Sequence, residues 1–166
     1  MEKLLLRTTS AVDDCEKHLT SSAAFGTEIE AYLIQYLLVV LCADIQQEIY
    51  RISEARASVV KDDAISAYVS ATARRVLRSV GKEEIAKYVG MFGPNHKTKL
   101  NSLIDDADVT TFNNAVSNRH DVAHKHGTQI TFRELKSAVL AAQKIIKGVE
   151  SSLEFDESSV ATPGLQ

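Results

Sequence analysis

Three of the chain's five histidines fall within seven positions, in the run Asn118-Arg119-His120-Asp121-Val122-Ala123-His124-Lys125-His126-Gly127. Imidazoles have an unperturbed pKa of about 6.5, so they take up and release protons around neutral pH. Arg119 adds a permanent cation whose planar fork suits phosphate oxygens. Together these groups meet the needs of RNA cleavage without a metal. One imidazole takes the proton of a 2′-OH, another protonates the leaving 5′-oxygen, and the guanidinium offsets charge gathering on phosphorus. A plainer reading uses the same residues structurally. Arg119 then pairs with a carboxylate, and the histidines cap a helix C-terminus, where positive charge is favoured. The spacing alone leaves both readings open.

Helical geometry limits how these groups can meet. At about 100° per residue, Val109, Phe112, Val116 and Ala123 form the core-facing stripe. His120 lies about 40° from Val116 on one side and Arg119 about 60° away on the other. His120 and His124 share a face. Arg119 and His124 are about 140° apart, so one copy of the helix converges on a ligand only by wrapping or loosening its last turn. A second copy related by a two-fold axis is another way to complete the site.

A metal site competes for the same residues. His120-x3-His124-x-His126 offers imidazoles at i and i+4 plus a third, and His120-Asp121 is the pair found in HD-type phosphohydrolases. Such a site needs further ligands, for which His96 is one candidate and Asp44 or Asp62 others. A third reading is a helical binding module without turnover.

The charge distribution favours an anionic ligand. The chain carries a net charge of -3, yet residues 74–147 hold 13 Lys+Arg against 7 Asp+Glu. The basic excess therefore lies in the half that contains the histidines. Arg74, Arg75 and Arg78 are candidates for an RNA path, with Lys125 and His126 beside the cluster; a solvated surface run is the bland alternative.

The elements that must carry these residues are helical. With 2 prolines, 7 glycines and no tryptophan, the composition lacks the turn density and aromatic content of an all-β fold. The chain is long enough for one domain with a real core. A first helix is expected over residues 2 to about 20. Thr27 and Glu30 then read as a capping box opening a long central helix to about residue 53, apolar almost all round at its start. Tyr32 and Tyr36 on it suit core or dimer packing, and Asp44 and Glu48 suit solvated or paired carboxylates. Further helices are expected over about 61–80, 82–89 and 97–104, with a turn at Gly93-Pro94.

Asp105, Asp106 and Asp108 offer N-caps for the helix bearing the cluster, and Gly127 suits its C-terminal cap. Thr131 and Glu134 make a second capping box for a last helix. These elements amount to an all-α, single-domain helical bundle over residues 1–153, followed by a flexible acidic tail over 154–166. The two separated cysteines suggest a reducing cytoplasm. The apolar stretch over 31–43 is too short for a membrane span.

The run Arg119-His120-Asp121-Val122-Ala123-His124 resembles the Arg-x4-His motif of the HEPN superfamily. That motif is an arginine, a polar residue and, a few positions on, a histidine near the end of a helix in an all-α bundle. The long apolar helix, the Phe92-Gly93 turn and the capped final helix look like the RiboL-PSP-HEPN branch, over roughly residues 25–152. The resemblance implies a metal-independent endoribonuclease of a toxin–antitoxin, phage-defence or RNA-processing system, with no cofactor. It also implies a homodimer whose two motifs share one cleft, with RNA as ligand and an antitoxin or other protein as possible partner. Arg119 would steady the phosphate, His124 would be the main acid/base, and His120 would orient or assist. Two departures stand out. Lys125-His126 precede Gly127, where relatives often have glycine directly after the histidine. His126 also occupies the place of a tyrosine that is adenylylated in some HEPN toxins, so control of that kind is not expected. Some HEPN domains bind nucleotides or partners without catalysis.

Overall fold

The computed structural model describes residues 4–122 and 130–154, the side chains of 120–122 excepted. Seven helices are present among them, with no strand: α1 (Leu6–Ser21), α2 (Glu28–Ser58), α3 (Asp63–Val76), α4 (Lys82–Gly90), α5 (Pro94–Leu103), α6 (Asp106–Val122) and α7 (Phe132–Leu153). The expected all-α architecture is what the chain adopts. The expected tail and the stretch carrying His124, Lys125, His126 and Gly127 lie outside the described residues.

The long helix α2 is the axis of the bundle. Leu37, Leu38, Leu41, Ile45 and Ile49 on it are fully buried, and α1, α3, α6 and α7 pack around it. α7 runs parallel to α2, joined by Phe132 to Glu30 near their starts and by Arg51 to Glu150 towards their ends. α6 runs antiparallel to α7, with Lys144 Nζ 2.9 Å from Asp108. α4 and α5 pack on each other and against α7. Gly148 on α7 permits that close approach, since a Cβ there would lie 3.2 Å from Ile104 Cγ1 and 3.3 Å from Leu100 Cδ1.

Helix ends follow local chemistry in most places. Asp62 accepts from the amides of Ala64 and Ile65, and Asp105 from that of Ala107. Pro94 stands at the first turn of α5, where its missing N–H costs nothing. Several ends depart from the expected positions: α1 begins at Leu6 rather than residue 2, and α5 at Pro94 rather than 97. α3 stops at Val76 rather than near 80, because the Leu77 carbonyl turns out to accept from Gln46 Nε2 (2.8 Å) and Tyr50 Oη (3.2 Å) of α2. α2 runs five residues past the expected end, with Ala57 still buried.

The start of α1 has no capping side chain of its own: Leu5 occupies the cap position with φ 55°. Asp44 of α2 supplies the cap from outside, its Oδ2 accepting from Thr8 N (3.0 Å) and Thr8 Oγ1 (2.9 Å). A carboxylate at a helix N-terminus satisfies an orphan donor and complements the dipole. Asp44 is thus a structural residue that pins α1 to α2. Asp44→Ala is expected to lower stability by about 1.5–3 kcal/mol, the range for a charged hydrogen-bond partner, and Asp44→Asn by less. Urea unfolding measures both, and a loss below about 0.5 kcal/mol for the alanine variant would contradict the trans cap.

Tyr32 and Tyr36 are not core residues. They are 64% and 56% exposed, and with Ile29 and Val39 they form an uncovered apolar stripe along the first half of α2. The all-round apolar character of this helix therefore has two sources, one face turned to the core and one to the outside.

Candidate nucleic-acid site at the end of α6

α6 is seated by Phe112, Ala115 and Val116, all buried, with Val109 packed against the same core. This registers the helix so that Arg119, half-buried, emerges on its final turns. The guanidinium faces Cys42 of α2 closely enough to hydrogen-bond to its thiol. Burial pushes the Cys42 thiol up from its ordinary range, while the Arg119 charge and hydrogen bond pull it back. Among the described residues no carboxylate pairs with Arg119. A neutral thiol touches the guanidinium without neutralising it. His120 lies on the next position of the same helix; His124, Lys125 and His126 fall outside the described residues.

The basic end of α3 comes to the same side of α2. Gln46, which binds the Leu77 carbonyl, lies one helical turn (about 6 Å along the axis) from Cys42, which faces Arg119. Lys82 at the start of α4 donates its amide to Asn113 Oδ1 of α6 at 3.1 Å, which ties the 77–82 segment to the motif helix as well. Arg74, Arg75 and Arg78 are all exposed there. Arg74 is partly committed, 3.4 Å from Glu54 and stacked 5.1 Å over the Tyr50 ring. Arg78 Nε donates to the Arg75 carbonyl.

The side chains suggested as extra metal ligands are engaged elsewhere. His96 Nδ1 is 2.6 Å from the Ser152 carbonyl at the far end of α7. Phe132 starts that helix, and twenty residues of rise separate the two ends by about 30 Å. Asp44 caps α1 and Asp62 caps α3. His96 is therefore a helix-end partner, at the opposite end of α7 from Phe132. Among the described residues no group of three metal-ligating side chains converges.

The chain re-enters the described structure at Ile130. Thr131 and Glu134 then close the expected capping box, with Thr131 N donating to Glu134 Oε2 at 2.7 Å and Glu134 N to Thr131 Oγ1 at 3.3 Å. Backbone and hydroxyl hydrogen bonds from Thr131 hold the Glu134 carboxyl below its usual range. The other predicted box does not close. Thr27 Oγ1 accepts from Ile29 N, but the Glu30 carboxylate bypasses Thr27 N and instead binds Gly26 N (2.6 Å) and Phe132 N (3.1 Å). An open groove of about 750 Å³ runs past this junction, lined in part by Phe25, Glu30, Phe132, Arg133 and Lys136.

Sequence reasoning missed both Cys42 and the true partner of Glu30. Neither carries a local signal, since each contact joins residues far apart in the chain. No helix among the described residues is long and apolar enough to cross a membrane.

No curated protein matches the chain, and no solved structure does. The family model for RiboL-PSP-HEPN matches residues 4–154, which takes in α1 as well as the stretch that carries the motif. All seven described helices lie within the matched residues. The chain belongs to the RiboL-PSP-HEPN family.

Proposed function

We propose that the protein is a metal-independent endoribonuclease acting through Arg119, His120 and His124. The observation that carries this reading is the Arg119 guanidinium on the last turns of α6, which meets a thiol and no carboxylate among the described residues, in a chain of the HEPN family. In the reaction, His124 removes the 2′-OH proton and the 2′-oxygen attacks phosphorus. The bond from phosphorus to the 5′-oxygen breaks as that oxygen takes a proton from an imidazolium. Arg119 binds the non-bridging oxygens as charge builds on them. The products are a 2′,3′-cyclic phosphate and a 5′-OH. No cofactor enters the scheme. Arg75 and Arg78 with Arg74 extend the cationic side of α2 away from Arg119 and fit the backbone of a bound RNA strand, with Lys125 and His126 assigned to the same role.

Two copies complete the site in this reading. The stripe of Ile29, Tyr32, Tyr36 and Val39 is the face through which a second copy docks, since Val39 stands one turn from Cys42 and so next to Arg119. Tyr36→Glu is expected to convert the dimer to monomer in light scattering and to lower cleavage, with the melting temperature of the monomer little changed. A Tyr36→Glu protein that stays dimeric would contradict this face. We place the protein in the cytoplasm, as a toxin or phage-defence component with an antitoxin or similar protein partner.

The test is incubation of the purified protein with total RNA in EDTA. Fragments above the background of the Arg119→Ala/His124→Ala double variant support the reading, and their absence removes it in favour of a non-catalytic RNA- or protein-binding module.

A further inference from the structure

We infer that the cleft between α3 and α4 is a subsite for one unpaired pyrimidine base of an RNA strand; the inference rests on RNA being the ligand, as proposed above. α3 packs against α2 and leaves much of its own surface open, since only Ala73 within it is buried. Beside it lies a cavity of about 150 Å³, walled by Tyr68, Thr72 and Ala73 of α3 and by Tyr88, Met91 and Phe92 at the end of α4. Two of these side chains are large and apolar yet stay open to solvent, Tyr68 at 72% and Met91 at 59%. An aromatic-lined recess that the chain's own core leaves unfilled marks a place for a ligand.

Size, walls and charge together indicate the ligand. A cavity of about 150 Å³ holds one benzene-sized ring, which suits a pyrimidine and is too small for a purine. The wall is fixed: Tyr88 Oη donates to Ser53 Oγ at 2.7 Å, and the Phe92 ring meets the Tyr88 ring edge-on, with centroids 5.7 Å apart. The Tyr68 and Thr72 hydroxyls offer hydrogen-bonding groups to the polar edge of such a ring. Arg75 stands three positions after Thr72 and seven after Tyr68, hence on the same face of α3. Arg75 and Arg78 enter no ion pair among the described residues, whereas Glu54 and Glu83 are taken up by Arg74 (3.4 Å) and Lys87 (2.9 Å). An apolar side chain of a protein would use the rings and leave this cationic rim idle. A nucleotide uses both, its base against the rings and its phosphate on the arginines.

The recess also continues the line of cations along α2. Tyr88 is tied to Ser53, eleven residues and about 16 Å along that helix from Cys42, which faces Arg119. Between these levels Arg78 follows Leu77, whose carbonyl binds Gln46, and Arg74 stacks over Tyr50. A stacked strand advances about 3.4 Å per nucleotide. The pocketed base then lies at most about five nucleotides from the phosphate at Arg119. A base must leave its stack and its pairing partner to enter, so the subsite selects single strands with a pyrimidine near the cut.

The test reads binding without cleavage, by fluorescence anisotropy of labelled 2′-O-methyl strands, which carry no 2′-OH to attack. The probes are an octamer of uridines, the same octamer with every base removed, and an octamer of adenines. Loss of a base–aromatic stack weakens binding by about fivefold or more. Wild type is expected to bind the uridine strand at least about fivefold tighter than either other probe. In Tyr68→Ala, whose side chain is too exposed to support the fold, that advantage should shrink to within about twofold. Met91→Ala should shrink it as well, whereas Arg75→Ala/Arg78→Ala should weaken all three probes by a similar factor. Equal wild-type binding of the uridine and abasic strands overturns the base subsite and leaves the ribonuclease standing. A uridine advantage that survives in both Tyr68→Ala and Met91→Ala overturns it too, and adenines bound as tightly as uridines overturn the single-ring assignment. Wild type that binds none of the probes removes RNA as the ligand, and this inference falls with it, leaving the recess to an apolar side chain of a protein partner.

Discussion

Arg119→Ala and His124→Ala are each expected to reduce RNA cleavage by about 10²–10⁴-fold while leaving the fold intact. General acid–base catalysis by a positioned histidine contributes about 10²–10⁴-fold, and loss of a single donor to the developing oxyanion costs about 10²–10³. The two losses should combine less than multiplicatively, because both groups act on one transition state. Arg119→Lys should fall between wild type and alanine, since it keeps the charge but loses the fork. The thermal midpoint is the control. Arg119 meets a thiol and no carboxylate among the described residues, so its removal breaks no ion pair there and should cost at most about 1 kcal/mol. Cleavage by either alanine variant at near wild-type rate would show that the chemistry resides elsewhere.

Phe112→Ala is expected to produce the largest stability loss of any single change in α6, about 3–5 kcal/mol. The side chain has no exposed surface and sits in the core shared by α2, α6 and α7. Truncation removes the apolar transfer energy of a ring and leaves a void that helices packed on three sides cannot close. Against a total stability of about 5–15 kcal/mol for a domain of this kind, such a loss is a large fraction of the whole. Because Phe112 and Arg119 lie on one helix, cleavage should fall before global unfolding does. Equilibrium unfolding in urea measures the effect, and a cost below about 1.5 kcal/mol would contradict the seating of α6 that places Arg119.

What could be read from the residues in advance was what depends on neighbours in the chain. Thr131 with Glu134, Asp62, Asp105 and Gly93-Pro94 are short-range devices, and each helix they announce begins within a few residues of where the pattern puts it. Contacts across the bundle were not legible. Asp44 looked like a stray carboxylate on a long helix, yet it caps α1 from 36 residues away. Glu30 fitted a local box, but its second oxygen serves α7. Leu77 continued a helical pattern that Gln46 and Tyr50 cut short by binding its carbonyl. Tyr32 and Tyr36 show a different limit. Periodicity marks a face that avoids water without saying whether the chain's own core or another molecule covers it. For the site, the residue types and spacing pointed to Arg119, while Cys42, the thiol beside it, needed the fold to bring it alongside.

The central claim is attack by a ribose hydroxyl at a phosphodiester held by Arg119, and one substrate comparison addresses it. An RNA oligonucleotide that the protein cuts is made again with a single 2′-deoxy sugar on the 5′ side of the cut, and both are incubated in EDTA. The account predicts that the all-ribose strand yields a 2′,3′-cyclic phosphate and a 5′-OH, and that the modified strand stays whole at that position. Continued cutting of the modified strand, or a 5′-phosphate on the product, would contradict it.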